Sequence, residues 1–454
     1  GKIKEKLCRK GVRMSREHDR ITRKLEENPA KECNRIQRKF YPELFSRFAQ
    51  VRDPRHSSYI EYSMKEMLGT VYYKGIAGIS SMQGMTREFN DEAVCRNLYR
   101  FMGNSAKEYL PHGVTVNELL ERLDPAELEE IQSDIVYRMI RRKTFDQAKV
   151  LGRWLVLVDG TELDEGKNKK NDNYLSRCYN RGEENEYTRY HRSVLEAKIY
   201  FGNNLVCSMA TESIENSAEY NEKKLTEEEI KQDCERNAFV RLAEKIKKRF
   251  PRLPVCIVAD GLYVSEKVLK ICKANGWDYI IRYKEGCAPL IKKEYEAIPE
   301  KNKTGKAEYV NEVIFRDMEV NVLTYHETKI KRGEPVTTEF AWITSIRITN
   351  KNAMKVVEAG RSRWKIENQG FNRQKRWQGD IEHACSFHER AQKNHYLMEQ
   401  ISDFMKQLYE YYCLKKKEIR KTQKNISSEL LASFGRQLTE PEDIPARLND
   451  SVLN

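Results

Sequence analysis

The sequence predicts a mixed α/β fold, a sheet flanked by helices, on three observations. Apolar residues recur at helical spacing through residues 40–150. From residue 154 the pattern changes to short apolar runs bounded by turn residues, as expected of buried strands. These runs then alternate with helical stretches in the order strand, hairpin, long helix, strand, helix, strand. The 454 residues suffice for a large core and more than one structural unit.

The elements follow in order. Residues 1–50 read as a basic arm; the first 39 residues hold 14 Lys/Arg against 6 Asp/Glu. Residues 51–150 read as a helical region with room for a nucleic-acid-binding unit. Tyr59, Met64, Met67, Leu68 and Val71 form one stripe. Leu119, Leu120, Leu123 and Leu128, then Ile131, Ile135 and Met139, form others. Asp124-Pro125 divides these helices, with Asp124 as cap and Pro125 at the first helical position.

Residues 151–304 carry the first part of the sheet. Residues 155–158 are a strand, and Gly202-Asn203-Asn204 turns a hairpin between apolar runs. Thr226 and Glu229 have the spacing of a capping box. Ile230, Cys234, Ala238, Leu242, Ile246 and Phe250 make the stripe of a long helix that Pro251 ends. A strand to Asp260, a helix over 266–273 and a strand over 277–282 follow. Residues 305–350 read as a β-rich insertion, residues 351–414 as closing helices, and residues 415–454 as a peripheral tail.

Composition narrows the partner. Lys plus Arg number 82 against 69 Asp plus Glu, a formal net charge of +13, which favours a polyanion such as nucleic acid. The 11 cysteines form no C-x-x-C pair. Cys207, Cys234, Cys256 and Cys272 sit in or beside apolar runs, as small reduced hydrophobes. No stretch approaches the roughly 18 apolar residues of a spanning helix. A basic N-terminus without a secretory apolar core completes the expectation of a cytosolic protein with no membrane partner.

Three acids point to chemistry. The apolar run from Trp154 to Val158 ends on Asp159-Gly160, and that from Val255 to Ala259 ends on Asp260-Gly261. Glu367 follows on a helical stretch. An acid at the end of a buried strand is poorly placed for packing and well placed for a site. One Asp-Gly after a strand is a common turn; two are less easily dismissed. Three carboxylates suit Mg²⁺, with Mn²⁺ as substitute, and two such ions can clamp a phosphoryl transfer. Arg361, Arg363, Lys375 and Arg376 flank Glu367 as cations for a phosphate. Arg363 and Glu367 are also spaced to pair with each other. Trp364 and Phe371 read more readily as core. Glu162 and Asp164 are weaker substitutes for Asp159, and His383, His388 and His395 lack a metal-binding spacing.

These segments resemble bacterial insertion-sequence transposases of the DDE class, which have a ribonuclease H-like catalytic core. The resemblance rests on Val158-Asp159-Gly160-Thr161, Ala259-Asp260-Gly261-Leu262-Tyr263, and the stretch from Arg363 through Glu367 and Phe371 to Lys375. It is similar to the cut-and-paste branch with a β insertion and a Tyr-x2-Arg-x3-Glu-x6-Lys signature. Arg363 and Glu367 keep that spacing; the Tyr position is Gly360 and the Lys position Gln374, with Lys375 one residue late. The resemblance implies that Asp159, Asp260 and Glu367 bind two Mg²⁺ ions. It implies DNA contacts by Arg361, Arg363, Trp364, Lys375 and Arg376. It further implies a homodimer that cleaves the terminal inverted repeats of its element and joins the 3′-hydroxyl ends to target DNA. A nuclease of the same fold without strand transfer, and a DNA-binding protein without catalysis, are the alternatives.

Overall fold

Strands that are apolar on every residue need both faces of their sheet covered, and that requirement organises this molecule. The computed structural model describes residues 28–215, 227–283, 286, 288–331, 334–436 and 438. Ten strands among these residues form one mixed sheet. They are β1 (Trp154–Gly166), β2 (Leu175–Tyr179), β3 (Tyr187–Tyr200), β4 (Val206–Ile214), β5 (Val255–Ala259), β6 (Asp278–Tyr283), β7 (Asn302–Thr304), β8 (Ala307–Phe315), β9 (Met318–Lys331) and β10 (Glu334–Thr344). Their spatial order is β2-β3-β1-β5-β6-β10-β9-β8-β7, with β4 also paired to β3. β1, β5 and β6 run parallel at the centre, and the other pairs are antiparallel. This is the ribonuclease H-like arrangement of a central mixed sheet between helices. The β-rich stretch 305–350 extends it, because β10 pairs with β6 from Ala341 to Thr344.

Among the described residues seven α-helices precede the sheet: α1 (Pro29–Phe40), α2 (Leu44–Gln50), α3 (Met64–Ile76), α4 (Met82–Glu88), α5 (Glu92–Met102), α6 (Gly113–Arg122) and α7 (Pro125–Ile140). Within and after it come α8 (Glu227–Arg249), α9 (Glu266–Asn275), α10 (Pro289–Ala297), α11 (Ala353–Arg361), α12 (Asn372–Arg376), α13 (Glu389–Tyr409) and α14 (Gln423–Phe434). Side chains alternate faces along a strand. Val156, Val158, Ile257 and Ala259 therefore enter one core, shared with the N-terminal helices, α8 and α13. Leu155, Leu157, Cys256, Val258 and Ile280 enter a second, under α11 and the turn that follows it.

The helical stripes at Leu119–Met139 are buried as expected, and Asp124 caps α7 by accepting from the Ala126 amide at 3.0 Å. The 202–204 hairpin joins β3 to β4. Ala238, Leu242, Ile246 and Phe250 are buried along α8. Thr226, the side chains of residues 229–236 and the basic arm before residue 28 lie outside the described residues.

Three expectations are corrected. The basic arm does not reach residue 50, because residues 29–50 carry α1 and α2, whose Ile36, Phe40, Leu44 and Phe48 are buried in the core. Tyr59 lies in a short 3-10 turn before α3 and is 81% exposed, so it takes no part in that helix's stripe. The tail is not peripheral in its first part. Leu430 and Phe434 of α14 are fully buried, and the Ala30 amide donates to Ser433 Oγ at 3.0 Å. The apolar spacing of Ile426, Leu430 and Phe434, every fourth residue, carries this signal. Among the described residues no helix is long and apolar enough to cross a membrane.

Candidate active site

The two strand-end aspartates meet because β1 and β5 are parallel neighbours in register. Leu155 lies opposite Cys256 and Leu157 opposite Val258. Two residues further on, Asp159 comes beside Asp260. Asp260 stands just past the end of β5, whereas β1 does not end at Asp159, as the sequence suggested, but runs on to Gly166 with Asp159 opposite Glu196 of β3. Each continues the row of its strand that faces the second core: Leu155, Leu157, Asp159 and Cys256, Val258, Asp260. That is the face on which α11 lies, and the chain after α11 delivers Glu367.

Glu367 sits in a π turn, Ile366–Phe371, between α11 and α12. Such turns are rare and are frequent at functional sites. Ile366 and Phe371 anchor it in the core. Gly370 lets it lie on the buried Lys198, since a Cβ there would stand 3.1 Å from Lys198 Cε.

Arg363 joins the acids. Its Nη1 lies 3.0 Å from Asp159 Oδ2 and 2.8 Å from Glu367 Oε1. The Arg363, Asp159 and Glu367 side chains are 8%, 17% and 33% exposed, so the guanidinium bridges two carboxylates in a half-dry pocket. Asp159 Oδ1 accepts from the Gly160 amide at 3.1 Å, and Asp260 Oδ1 from the Leu262 amide at 3.0 Å. Burial raises the Asp159 carboxyl to about 7 against the pull of Arg363, and the charges of Asp260 and Glu367 push it the same way as burial. Among the described residues no three His, Cys, Asp or Glu side chains are gathered as a metal-holding group. The cation between Asp159 and Glu367 is Arg363 itself.

The remaining predicted residues fall outside this contact. Arg361 forks onto Glu327 at 2.9 and 3.3 Å and lies over the Phe340 ring at 5.2 Å. Trp364 is 44% exposed beside Arg363, contrary to the expectation of core; Phe371 is buried as expected. Lys375 pairs with Glu382 at 2.7 Å, and Arg376 is exposed. Glu162 pairs with Arg177, and Asp164 with Arg192 and Tyr174, so both are committed elsewhere. His395 is half-buried against Asn117, and desolvation lowers it to about 3.

The two departures from the signature have local causes. A Cβ on Gly360 would stand 2.5 Å from Trp342 Nε1, so the Trp342 indole fills the space a tyrosine would enter. Gln374 is fully buried and donates to Gln400 at 3.0 Å and Asp403 at 2.8 Å. A π turn takes up one more residue than an α turn. That extra residue brings Lys375, one position late, round to the face of the helix on which Glu367 lies.

Two features escaped the sequence reading. Arg282, at the end of β6, continues the row of Ile280 towards the same pocket; its signal was a charged residue closing an apolar run, as for the aspartates. Burial and the Arg363 charge lower its guanidinium from the ordinary arginine value, while Asp260 and Glu367 oppose them. The second feature is a buried ionic network in which Arg373 donates to Asp403 and, through both terminal nitrogens, to Glu410 at 2.8 and 2.7 Å.

Residues 232–398 match the family model described as Transposase DDE domain, a stretch that includes Asp260 and Glu367 but not Asp159 and covers less than half of the chain. The chain thus contains a DDE-transposase-like domain. No curated protein matches the chain. A solved structure, the cryo-EM structure of the piggyBac transposase synaptic complex with hairpin DNA, is similar at 11% identity and a TM-score of 0.42, over 94% of this chain and 85% of that one.

Proposed function

We propose that this chain, with its DDE-transposase-like domain, is a DNA transposase: a cation-dependent enzyme that cleaves the ends of a DNA element and joins the freed 3′-hydroxyls to target DNA. The observation that carries the reading is the convergence of Asp159, Asp260 and Glu367, from three distant segments, on one sheet edge beside Arg363. The net charge of +13 supports a DNA partner. A homodimer holding two ends is part of the proposal.

The chemistry of the donor set, three carboxylates with one held partly protonated by burial and by its acidic neighbours, suits a hard divalent cation, while Arg363 stands between two of them in this structure. Asp159, Asp260 and Glu367 would hold Mg²⁺ or Mn²⁺, two ions in the fullest form of the proposal, once Arg363 withdraws from between two of them. When bound, such ions activate the attacking water or hydroxyl and stabilise the leaving oxygen. The chain's own residues do the rest. Arg363, released from Asp159, is placed to take a phosphate oxygen, and Trp364 lies exposed beside it for a base or sugar. The π turn fixes Glu367 against the sheet edge.

The test is cleavage and joining of a labelled duplex that spans the boundary of the DNA segment encoding this chain, with Mg²⁺ or with chelator. Metal-dependent cuts at the boundary followed by insertion of the label into plasmid are expected. Cuts without insertion would reassign the chain as a nuclease, and binding without cuts as a DNA-binding protein.

A pH dependence follows from Asp159. With its carboxyl at about 7, the metal-free site is partly protonated at neutral pH and a cation must displace that proton. Mn²⁺ affinity should therefore rise with pH through about 7 and level off above it. Calorimetry in buffers of different ionisation enthalpy should show proton release on binding at pH 6.5–7. Affinity flat across that range would remove Asp159 from the ligand set.

A further inference from the structure

We infer that Arg282 is a second phosphate-binding cation of this site, placed to hold a non-bridging oxygen of the DNA bond that is cut. The inference rests on the transposase reading above and adds to it a residue outside the signature segment.

Position comes first. β6 is the parallel neighbour of β5, with Ile280 opposite Val258 and Ile281 opposite Ala259. One residue on, Arg282 stands beside Asp260. Strand alternation puts it on the same face as Asp159 and Asp260, since Ile280 belongs to the core under α11 while Ile281 belongs to the opposite one. Three neighbouring strands thus present Asp159, Asp260 and Arg282 in sequence across one edge, with Glu367 and Arg363 lowered onto them from the following helix.

The side chain is held but not spent. Its guanidinium lies over the Phe340 ring, 5.3 Å from the centroid, and Phe340 stacks on Trp342, which pairs with Arg282 across β10. Its Nε is buried and has no hydrogen-bond partner among the described residues. Asp260 and Glu367 lie within range of its charge, as does the repelling Arg363. A guanidinium within the field of a second guanidinium, with a buried donor unanswered, is a costly arrangement for a purely structural residue. It suits an anion that arrives later. A phosphodiester would answer the donor and screen Arg282 from Arg363.

The experiment compares wild type, Arg282→Gln and Arg282→Lys on the boundary duplex in chelator, where no chemistry intervenes. A second duplex carries a neutral methylphosphonate at the bond to be cut. On the phosphodiester, Arg282→Gln should bind about tenfold more weakly, with the salt slope of its affinity reduced by about one phosphate contact. Arg282→Lys should keep the slope and lose part of the affinity. On the methylphosphonate duplex wild type and Arg282→Gln should bind alike. Thermal stability should be unchanged or raised in Arg282→Gln, since a repulsion with Arg363 is removed. Equal binding on the phosphodiester, an equal loss on both duplexes, or a loss of thermal stability that accounts for the weaker binding would overturn the assignment. If wild type cuts the boundary in Mg²⁺ while any of these holds, only the role of Arg282 falls. If wild type neither binds nor cuts it, the transposase reading falls and this inference with it.

Discussion

Glu367→Gln is expected to bind boundary DNA at least as tightly as wild type and to cleave it about a thousandfold more slowly, roughly 4 kcal/mol of lost transition-state stabilisation. The substitution keeps side-chain length and leaves the π turn anchored by Ile366 and Phe371. It removes one of the two charges that Arg363 bridges, at 2.8 Å, and one of three proposed cation-holding carboxylates. Binding should survive because the contacts of a basic surface with phosphate do not pass through a carboxylate. Asp260→Asn should behave likewise, since its amide can still accept from Leu262 at the strand end. Single-turnover cleavage in Mg²⁺, beside affinity in chelator, separates the two effects. A cleavage rate within about threefold of wild type would remove Glu367 from the site.

Arg373→Met is expected to destabilise the fold by roughly 3–5 kcal/mol, the cost of breaking a buried ion pair from one side. Arg373 is buried among Asp403 and Glu410, and both terminal nitrogens fork onto Glu410. Gln407 and Gln374 also donate to Asp403, at 3.0 and 2.8 Å, and Gln423 donates to Glu410 at 2.8 Å. The methionine would leave these two buried carboxylates with amide donors and the cation Lys406, whose ammonium burial already lowers to about 8. Glu410→Gln in the same background should recover part of the loss by removing one uncompensated charge. The midpoint and slope of denaturant unfolding measure both. A loss under about 1 kcal/mol would show that the network is solvated rather than buried. The consequence reaches the site, because Arg373 lies six residues after Glu367 on the same continuous segment. A loosened Arg373 would free the π turn and lower cleavage beyond what stability explains.

Much of this was legible in the chain. The apolar runs before Asp159 and Asp260 carry no polar residue on either face, which already requires a sheet covered on both sides. An acid closing such a run marks a strand's carboxyl end at Asp260, but not at Asp159, where pairing with β3 carries β1 on to Gly166. Arg363 and Glu367, four apart, can meet on any helix. Their 2.8 Å contact is therefore local in origin. The stripe along α7 and the cap at Asp124 are likewise short-range, set by the 3.6-residue period and by side-chain competition for the first amides.

Other features are decided between segments far apart in the chain, where local pattern has no voice. That Asp159 stands beside Asp260 depends on β1 choosing β5 as parallel neighbour, and that β10 extends the same sheet depends on its pairing with β6. Arg282 acquires meaning only from that order. Trp342 excludes a side chain at position 360 through a contact that no spacing announces. The π turn shifts the helical phase so that Gln374 faces the core and Lys375 does not, a choice made by the buried amides and carboxylates of α13. Periodicity and chain ends determine which residues can reach a surface or a strand edge. Packing across the sheet determines which of them meet, because the free energy of burying a charge is set by the groups that surround it in space.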